Sequence, residues 1–448
     1  MPYRPPSAFW FLCALFLTQT LFGAAPSNWT ECAPNTETLA ARGLAPRFFR
    51  DGEALSLELK TKDSVAYWSG TLPVNPESGC RITCEALTCG ISDAAGPSSV
   101  PGNDCMVLLS WQNPAKKNPD QRDYLDFTDA PTDQPGQNVR HFDGTFAVPE
   151  GCSELKIELV FRWRKGTARF QKFQALEVPR PAPRPVRVVA ANPHPARTMA
   201  GNLNAMEETL NRIFAEVEAP DLILFAECFT DSGTGTPLSE AAEPLPGGPT
   251  FQLLSRYAKA HHVWLAGSIH EVTEAGVYHN SAFLVNRNGE LAGVYRKVHL
   301  TVTESLKGVT PGEELPVFET DFGKIAFVVC WDNWFSETAK RLRLKGAELL
   351  LFPLAGDGKE SHWSKIWSAR AIDSAIPMIT VTQQAHLPSA IIDRDGEWLA
   401  QTTEKNGFVW KELNLNERKR SFWLSVGPSM GDPYQLYLHE RRPEAYQK

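Results

Sequence analysis

The apolar positions of this chain follow two different rhythms. Between residues 26 and about 178 short runs alternate or are rich in β-formers, as in Ser56-Leu-Glu-Leu-Lys60, Met106-Val-Leu-Leu-Ser-Trp111 and Leu155-Lys-Ile-Glu-Leu-Val-Phe-Arg-Trp163. Clusters of Gly, Pro, Asn and Asp separate them, which predicts an all-β sandwich. The segment from Asn113 to Asn138, rich in Pro, Asp, Gln and Lys, reads as a long surface loop. Residues 179–185 place proline at alternate positions, which forbids helix and favours an extended spacer.

From Val186 strands and helices alternate. Val186 to Ala191 reads as a strand, and Asn202 to Val217 carries Leu203, Met206, Leu210, Ile213 and Phe214 on one helical face. Asp221-Leu-Ile-Leu-Phe-Ala-Glu227 is a nearly continuous apolar strand that ends in a carboxylate. A helix over 251–261 precedes strands at 263–269, 282–286 and 291–298. Ile325 to Val329 then delivers Cys330 to a boundary, a helix-compatible segment runs from Ser336 to Lys345, and Ala347-Glu-Leu-Leu-Leu-Phe-Pro353 follows. This order predicts an α/β sandwich with buried sheets.

The length of 448 residues fits two domains better than one. The formal charge of −7, without a long basic run, argues against a nucleic-acid partner. Residues 1–25 read as a signal peptide: Arg4, an apolar stretch from Ala8 to Phe22, then Gly23-Ala24-Ala25. The expected location is therefore secreted or periplasmic. Six cysteines, at 32, 80, 84, 89, 105 and 152, precede residue 153, an even number in an exported segment that makes disulfides an expectation with no pairing specified. Cys228 and Cys330 lie elsewhere, Cys228 as a packed thiol beside Glu227.

Three residues combine into one chemistry. Acyl transfer by a thiol needs a base for its proton and a positive donor where the carbonyl oxygen becomes anionic. Glu227 and Cys330 end apolar strands, and Lys297 sits in Tyr295-Arg-Lys-Val-His-Leu300 on the face shared by Tyr295 and His299. A strand-to-helix junction and a nearby ammonium would favour the thiolate, burial would suit the glutamate to proton shuttling, and the Trp331 amide would be a second oxyanion donor. Trp334, His362 and Trp363, beside the loop Ala355-Gly-Asp-Gly-Lys-Glu360, are candidates to contact substrate. No His-rich or paired-Cys metal spacing stands in this half, so no metal is expected.

From about Val186 to Tyr446 the chain resembles the nitrilase or carbon-nitrogen hydrolase superfamily. The resemblance rests on Phe225-Ala-Glu-Cys-Phe229, Tyr295-Arg-Lys-Val-His-Leu300 and Val329-Cys-Trp-Asp332 in that order, with Tyr278-His-Asn280, Pro311-Gly312, Ala369-Arg-Ala371 and Arg442-Pro-Glu444 in support. It implies a four-layer α-β-β-α domain over 186–448 and a thioester mechanism with no cofactor. It also implies dimerisation, and a second glutamate at Glu304 that positions the lysine. Ala226 and Ser336 depart from the prolines usual there. Cys330-Trp-Asp-Asn-Trp-Phe335 is similar to the carbamoylputrescine-amidase branch, so a small amide or N-carbamoyl substrate outranks a nitrile. The N-terminal segment is broadly similar to jelly-roll, carbohydrate-binding-like modules, which leaves a glycan partner and a structural role both open.

Overall fold

Alternation along the strands explains the layers. In the computed structural model, which describes residues 25–34, 36–89, 104–115, 120–132, 137–356, 362–384, 387–427, 429–442 and 445, Val186, Val188 and Ala190 enter one apolar cluster while Val189 and Ala191 enter another. Leu222, Leu224 and Ala226 likewise face away from Ile223 and Phe225. Ile325, Phe327 and Val329 share the first cluster, and Ala326 and Val328 point to a third. Successive strand side chains point to opposite faces, so each of these strands is apolar on both sides and its sheet is covered on both.

The two sheets so defined have six strands each. The first runs, in spatial order, Leu291–Arg296, Tyr278–Val285, Trp264–Val272, Leu222–Leu224, Pro185–Asn192 and Gly407–Asn414; the second runs Phe318–Glu319, Lys324–Phe327, Leu349–Leu354, Met378–Thr382, Ser389–Ile392 and Trp398–Thr402. Their central strands pair in parallel, as with Ile223 opposite Leu265 and Ala326 opposite Leu350, and the flanking strands pair antiparallel. Helices Met199–Glu216 and Pro249–His261 cover the outer face of the first sheet, and Ser336–Leu344 and Trp363–Ser374 that of the second. The result is the four-layer α-β-β-α sandwich. Thr198 caps the first helix by accepting from the Gly201 amide, which satisfies one of its orphan donors.

The N-terminal unit is a sandwich of two largely antiparallel sheets. Its core interleaves Leu57, Ile82, Cys84 and Phe142 of one sheet with Trp68, Cys105, Trp111 and Ile157 of the other. Two expectations change here. The loop expected over 113–138 contains the strands Gln121–Tyr124 and Phe127–Pro131; polar composition hid them, since Arg122 and Asp129 form ion pairs with Glu158 and Arg140 of other strands. The eight cysteines among the described residues are all free thiols. Cys80, Cys84, Cys105 and Cys152 are buried members of the apolar core, where a thiol packs as a small hydrophobe. Burial pushes the thiols of Cys80 and Cys84 up to about 12.

Contacts divide the chain at Pro181/Ala182, and residues 179–184 carry no regular structure. Phe422–Gly431 groups with the N-terminal unit, whereas Ala182–Ser421 and Asp432–Arg441 form the second. Phe422–Gly431 thus departs from the expectation that everything after residue 186 belongs to the second unit. Strand Ser429–Gly431 extends a sandwich sheet through Gln121 and Arg122. The signal-like residues 1–24 and the pair Pro443-Glu444 lie outside the described residues.

Candidate active site

Strand ends build the site. Lys324–Phe327 is followed by Val328 and Val329, both buried, and then by Cys330 with φ +46°, which opens the 3-10 turn Cys330–Trp334. A left-handed residue without glycine is strained. Here the strain turns the chain sharply and leaves the thiol half-buried on a cavity of about 660 Å³. In the other sheet Leu222–Leu224 leads to Glu227, which is 4% exposed and lines the same cavity. Lys297 stands one residue beyond the strand Leu291–Arg296, so its direction is set less by strand alternation than by what it touches.

What it touches is two carboxylates. The Lys297 ammonium, 1% exposed, donates to Glu227 Oε1 at 3.0 Å and to both Glu304 oxygens at 3.0 and 2.9 Å. Asn280 Nδ2 donates to Glu227 Oε1 and Glu304 Oε1, each at 2.8 Å, and the Ala355 amide donates to Glu227 Oε2 at 2.7 Å. Glu304 is itself fixed by a capping box: its Oε2 accepts from the Thr301 amide at 2.8 Å while Thr301 Oγ1 accepts from the Glu304 amide at 3.2 Å. Gly312 donates its amide to the Lys297 carbonyl at 2.9 Å, and a Cβ there would come within 2.2 Å of the Arg296 carbonyl oxygen. Only glycine allows that approach.

The charges sort accordingly. Burial alone would discharge Lys297, but Glu227, the Cys330 sulfur and Glu304 hold its ammonium well above the usual lysine range. Burial works to raise Glu304, yet Lys297 and the amides of Asn280 and Thr301 bring it below the usual carboxylate range. The thiol of Cys330 differs from expectation. Burial first, then the Glu227 carboxylate, push it far above the ordinary cysteine value, and Lys297 offsets this only in part. This direction favours an attack in which the proton passes to an acceptor as the sulfur advances.

Asp332 ties the cysteine turn to the lysine segment. It is wholly buried and accepts from Tyr295 Oη at 2.7 Å, the Val329 amide at 3.0 Å, and the amide and Nδ1 of His299, each at 2.8 Å. Tyr295 and His299 flank Lys297 by two residues on either side. The three aromatic candidates go elsewhere. Trp363 is buried under the second sheet against Phe352, Trp334 packs edge-on to it at 5.2 Å, and His362 is exposed just before the helix. None of the three is among the described residues lining the cavity. Aromatic side chains of that size complete the layer beneath a sheet. Trp331 is 37% exposed, and the loop 357–361 lies outside the described residues.

Sequence reasoning passed over Asn280 as a functional group, although Tyr278-His-Asn280 was among its supporting matches, and missed Gln383, whose amide donates to the Glu227 carbonyl. It also missed the surroundings of Cys228. That residue, with φ +44°, precedes the 3-10 turn Phe229–Asp231 and lines the cavity with Asp231 and His270, which lies 39 residues further along the chain than Asp231. Its Cys-x-x-Asp spacing was the one signal available.

A four-layer α-β-β-α domain with a carboxylate, an ammonium and a thiol on one cavity is equipped for acyl transfer. Residues 186–420 match the carbon-nitrogen hydrolase family, and the chain belongs to it: it is a hydrolase of carbon-nitrogen bonds other than peptide bonds. A probable nitrilase of Schizosaccharomyces pombe is 30% identical over 261 residues, which are 55% of this chain and 92% of that one. The omega-amidase of Homo sapiens is 27% identical over 222 residues (45% and 80%), and the N-carbamoylputrescine amidase of Arabidopsis thaliana 27% over 227 (44% and 76%). The crystal structure of Saccharomyces cerevisiae Nit3 is similar to 51% of this chain over 90% of its own, at 24% identity and a TM-score of 0.48.

Proposed function

We propose that this protein is an exported amidohydrolase that cleaves a small amide or N-carbamoyl compound through a thioester on Cys330. One observation carries the reading: a buried ammonium, Lys297, held within 3.0 Å of Glu227 and of Glu304 on the cavity that Cys330 lines. The Cys330 sulfur attacks the amide carbon as its proton passes to Glu227, and Lys297 with the Trp331 amide stabilises the oxyanion. Collapse breaks the carbon-nitrogen bond, and the proton held by Glu227 leaves on the amine or ammonia. Water, deprotonated by Glu227, then attacks the thioester and releases the acid and the thiol. The raised thiol supports a base-coupled attack over a standing thiolate. The substrate class follows the names of the omega-amidase and N-carbamoylputrescine amidase relatives, together with Asp332 after the cysteine. Export rests on the sequence of residues 1–25.

The test is a panel of amides, N-carbamoyl compounds and nitriles, read by ammonia release and by mass spectrometry of intact protein. Amides or N-carbamoyl compounds should give turnover and an acyl adduct on Cys330. Cys330→Ala should lose both, by at least about a thousandfold in kcat, with its melting temperature kept. Turnover unchanged in that variant, or confined to nitriles, would overturn the reading.

A further inference from the structure

On the wall of the same cavity, Cys228, Asp231 and His270 each present a ligand atom, and these atoms all lie within 4.8 Å of one another. Among the described residues no other three cysteine, histidine or acidic groups come together in this way. Two separate pieces of chain supply them: the left-handed Cys228 with the 3-10 turn Phe229–Asp231 that it caps, and the strand Trp264–Val272. His270 Nδ1 is already 2.8 Å from Asp231 Oδ2. The Cys228 sulfur is buried, 3.5 Å from Asn280 Oδ1 and 3.7 Å from Ser268 Oγ. Glu227 takes no part, because its oxygens are engaged by Lys297, Asn280 and the Ala355 amide.

We infer that Cys228, Asp231 and His270 form a binding site for a divalent transition-metal ion of the zinc class. One sulfur, one imidazole nitrogen and one carboxylate oxygen are a zinc donor set, whereas calcium and magnesium select oxygens. Tetrahedral coordination at the usual bond lengths sets donors roughly 3–4 Å apart, so the trio needs to close by only about an ångström. A fourth position faces the cavity, open to water or to a ligand.

The inference does not depend on Cys330, and a spectroscopic test keeps the two apart. Full-length protein kept reduced is titrated with Co²⁺, and the near-ultraviolet thiolate-to-cobalt charge-transfer band is followed, then bleached with Zn²⁺. One equivalent should develop the band in the wild type and in Cys330→Ala. The band should vanish in Cys228→Ser, and apparent affinity should fall at least about tenfold in His270→Gln and in Asp231→Asn, two variants that keep the shape of the side chain. Circular dichroism establishes that each variant is folded. No band at one equivalent, a band that survives Cys228→Ser, or one lost in Cys330→Ala would overturn the assignment.

Discussion

The two sheets of the hydrolase unit turn their chain in the same way at two cysteines. Cys228 and Cys330 each follow a parallel central strand, each adopts a left-handed backbone (φ +44° and +46°), each stands at the start of a 3-10 turn, and each lines one cavity. Local geometry therefore does not distinguish them. Their neighbours do. Cys330 shares its surroundings with Lys297 and Glu227, a cation and a base suited to acyl transfer. Cys228 faces Asp231, His270, Ser268 and Asn280, a set of metal donors and hydrogen-bonding groups. The same turn presents a thiol twice, and the side chains brought from other strands assign it two chemistries.

The sharpest way to break this comparison is to remove the cation. Lys297→Met should leave Glu227 and Glu304 buried without their partner, cost about 3–5 kcal/mol of stability, and lower kcat by about a hundredfold or more. Urea unfolding and steady-state kinetics read both, and wild-type turnover in the variant would show that Lys297 does not separate the two cysteines. Next comes the wall behind the Cys330 turn. Trp363→Ala should lower stability by about 3–5 kcal/mol through a cavity under the second sheet, while KM of the folded fraction stays within about twofold; a large rise in KM would return Trp363 to the substrate pocket.

The smallest effect is in acid. Glu304 titrates below the usual carboxylate range in the folded protein because of Lys297, Asn280 and Thr301, and its unfolded value is ordinary. Its contribution to stability is therefore complete above the unfolded value and is lost as pH falls through the lower folded value. Unfolding free energy measured from pH 6 down to about pH 3 should fall more steeply in the wild type than in Glu304→Gln. Equal slopes would remove Glu304 from the lysine's set of partners.

Much of this was legible along the chain because it is periodic or contiguous. Alternation and apolar runs predicted both units, and Glu227, Lys297 and Cys330 stood out at strand ends within short motifs. Asn280 could not be found that way, since its importance lies in one amide reaching two carboxylates on different elements, 53 and 24 residues away in sequence. Trp334 and Trp363 were misplaced for a related reason: nearness in sequence to a motif does not say which face of a helix or turn meets the cavity. The strands within 113–138 were hidden because their polar residues pair across the sheet, as Arg140 does with Asp129.

The sequence by itself determined the change from a β-rich to an alternating strand-and-helix rhythm and the residue types able to carry acyl transfer, because these follow from local periodicity and side-chain chemistry. Only the tertiary structure gave the direction in which the Cys330 thiol is shifted, which depends on burial and on Glu227 as well as Lys297. It alone showed that Asp332 locks the cysteine turn to the lysine segment, and that Cys228 stands beside a histidine drawn from another strand. The reason is physical. Electrostatic and coordination energies act over a few ångströms in space, and sequence distance carries almost no information about which groups come that close.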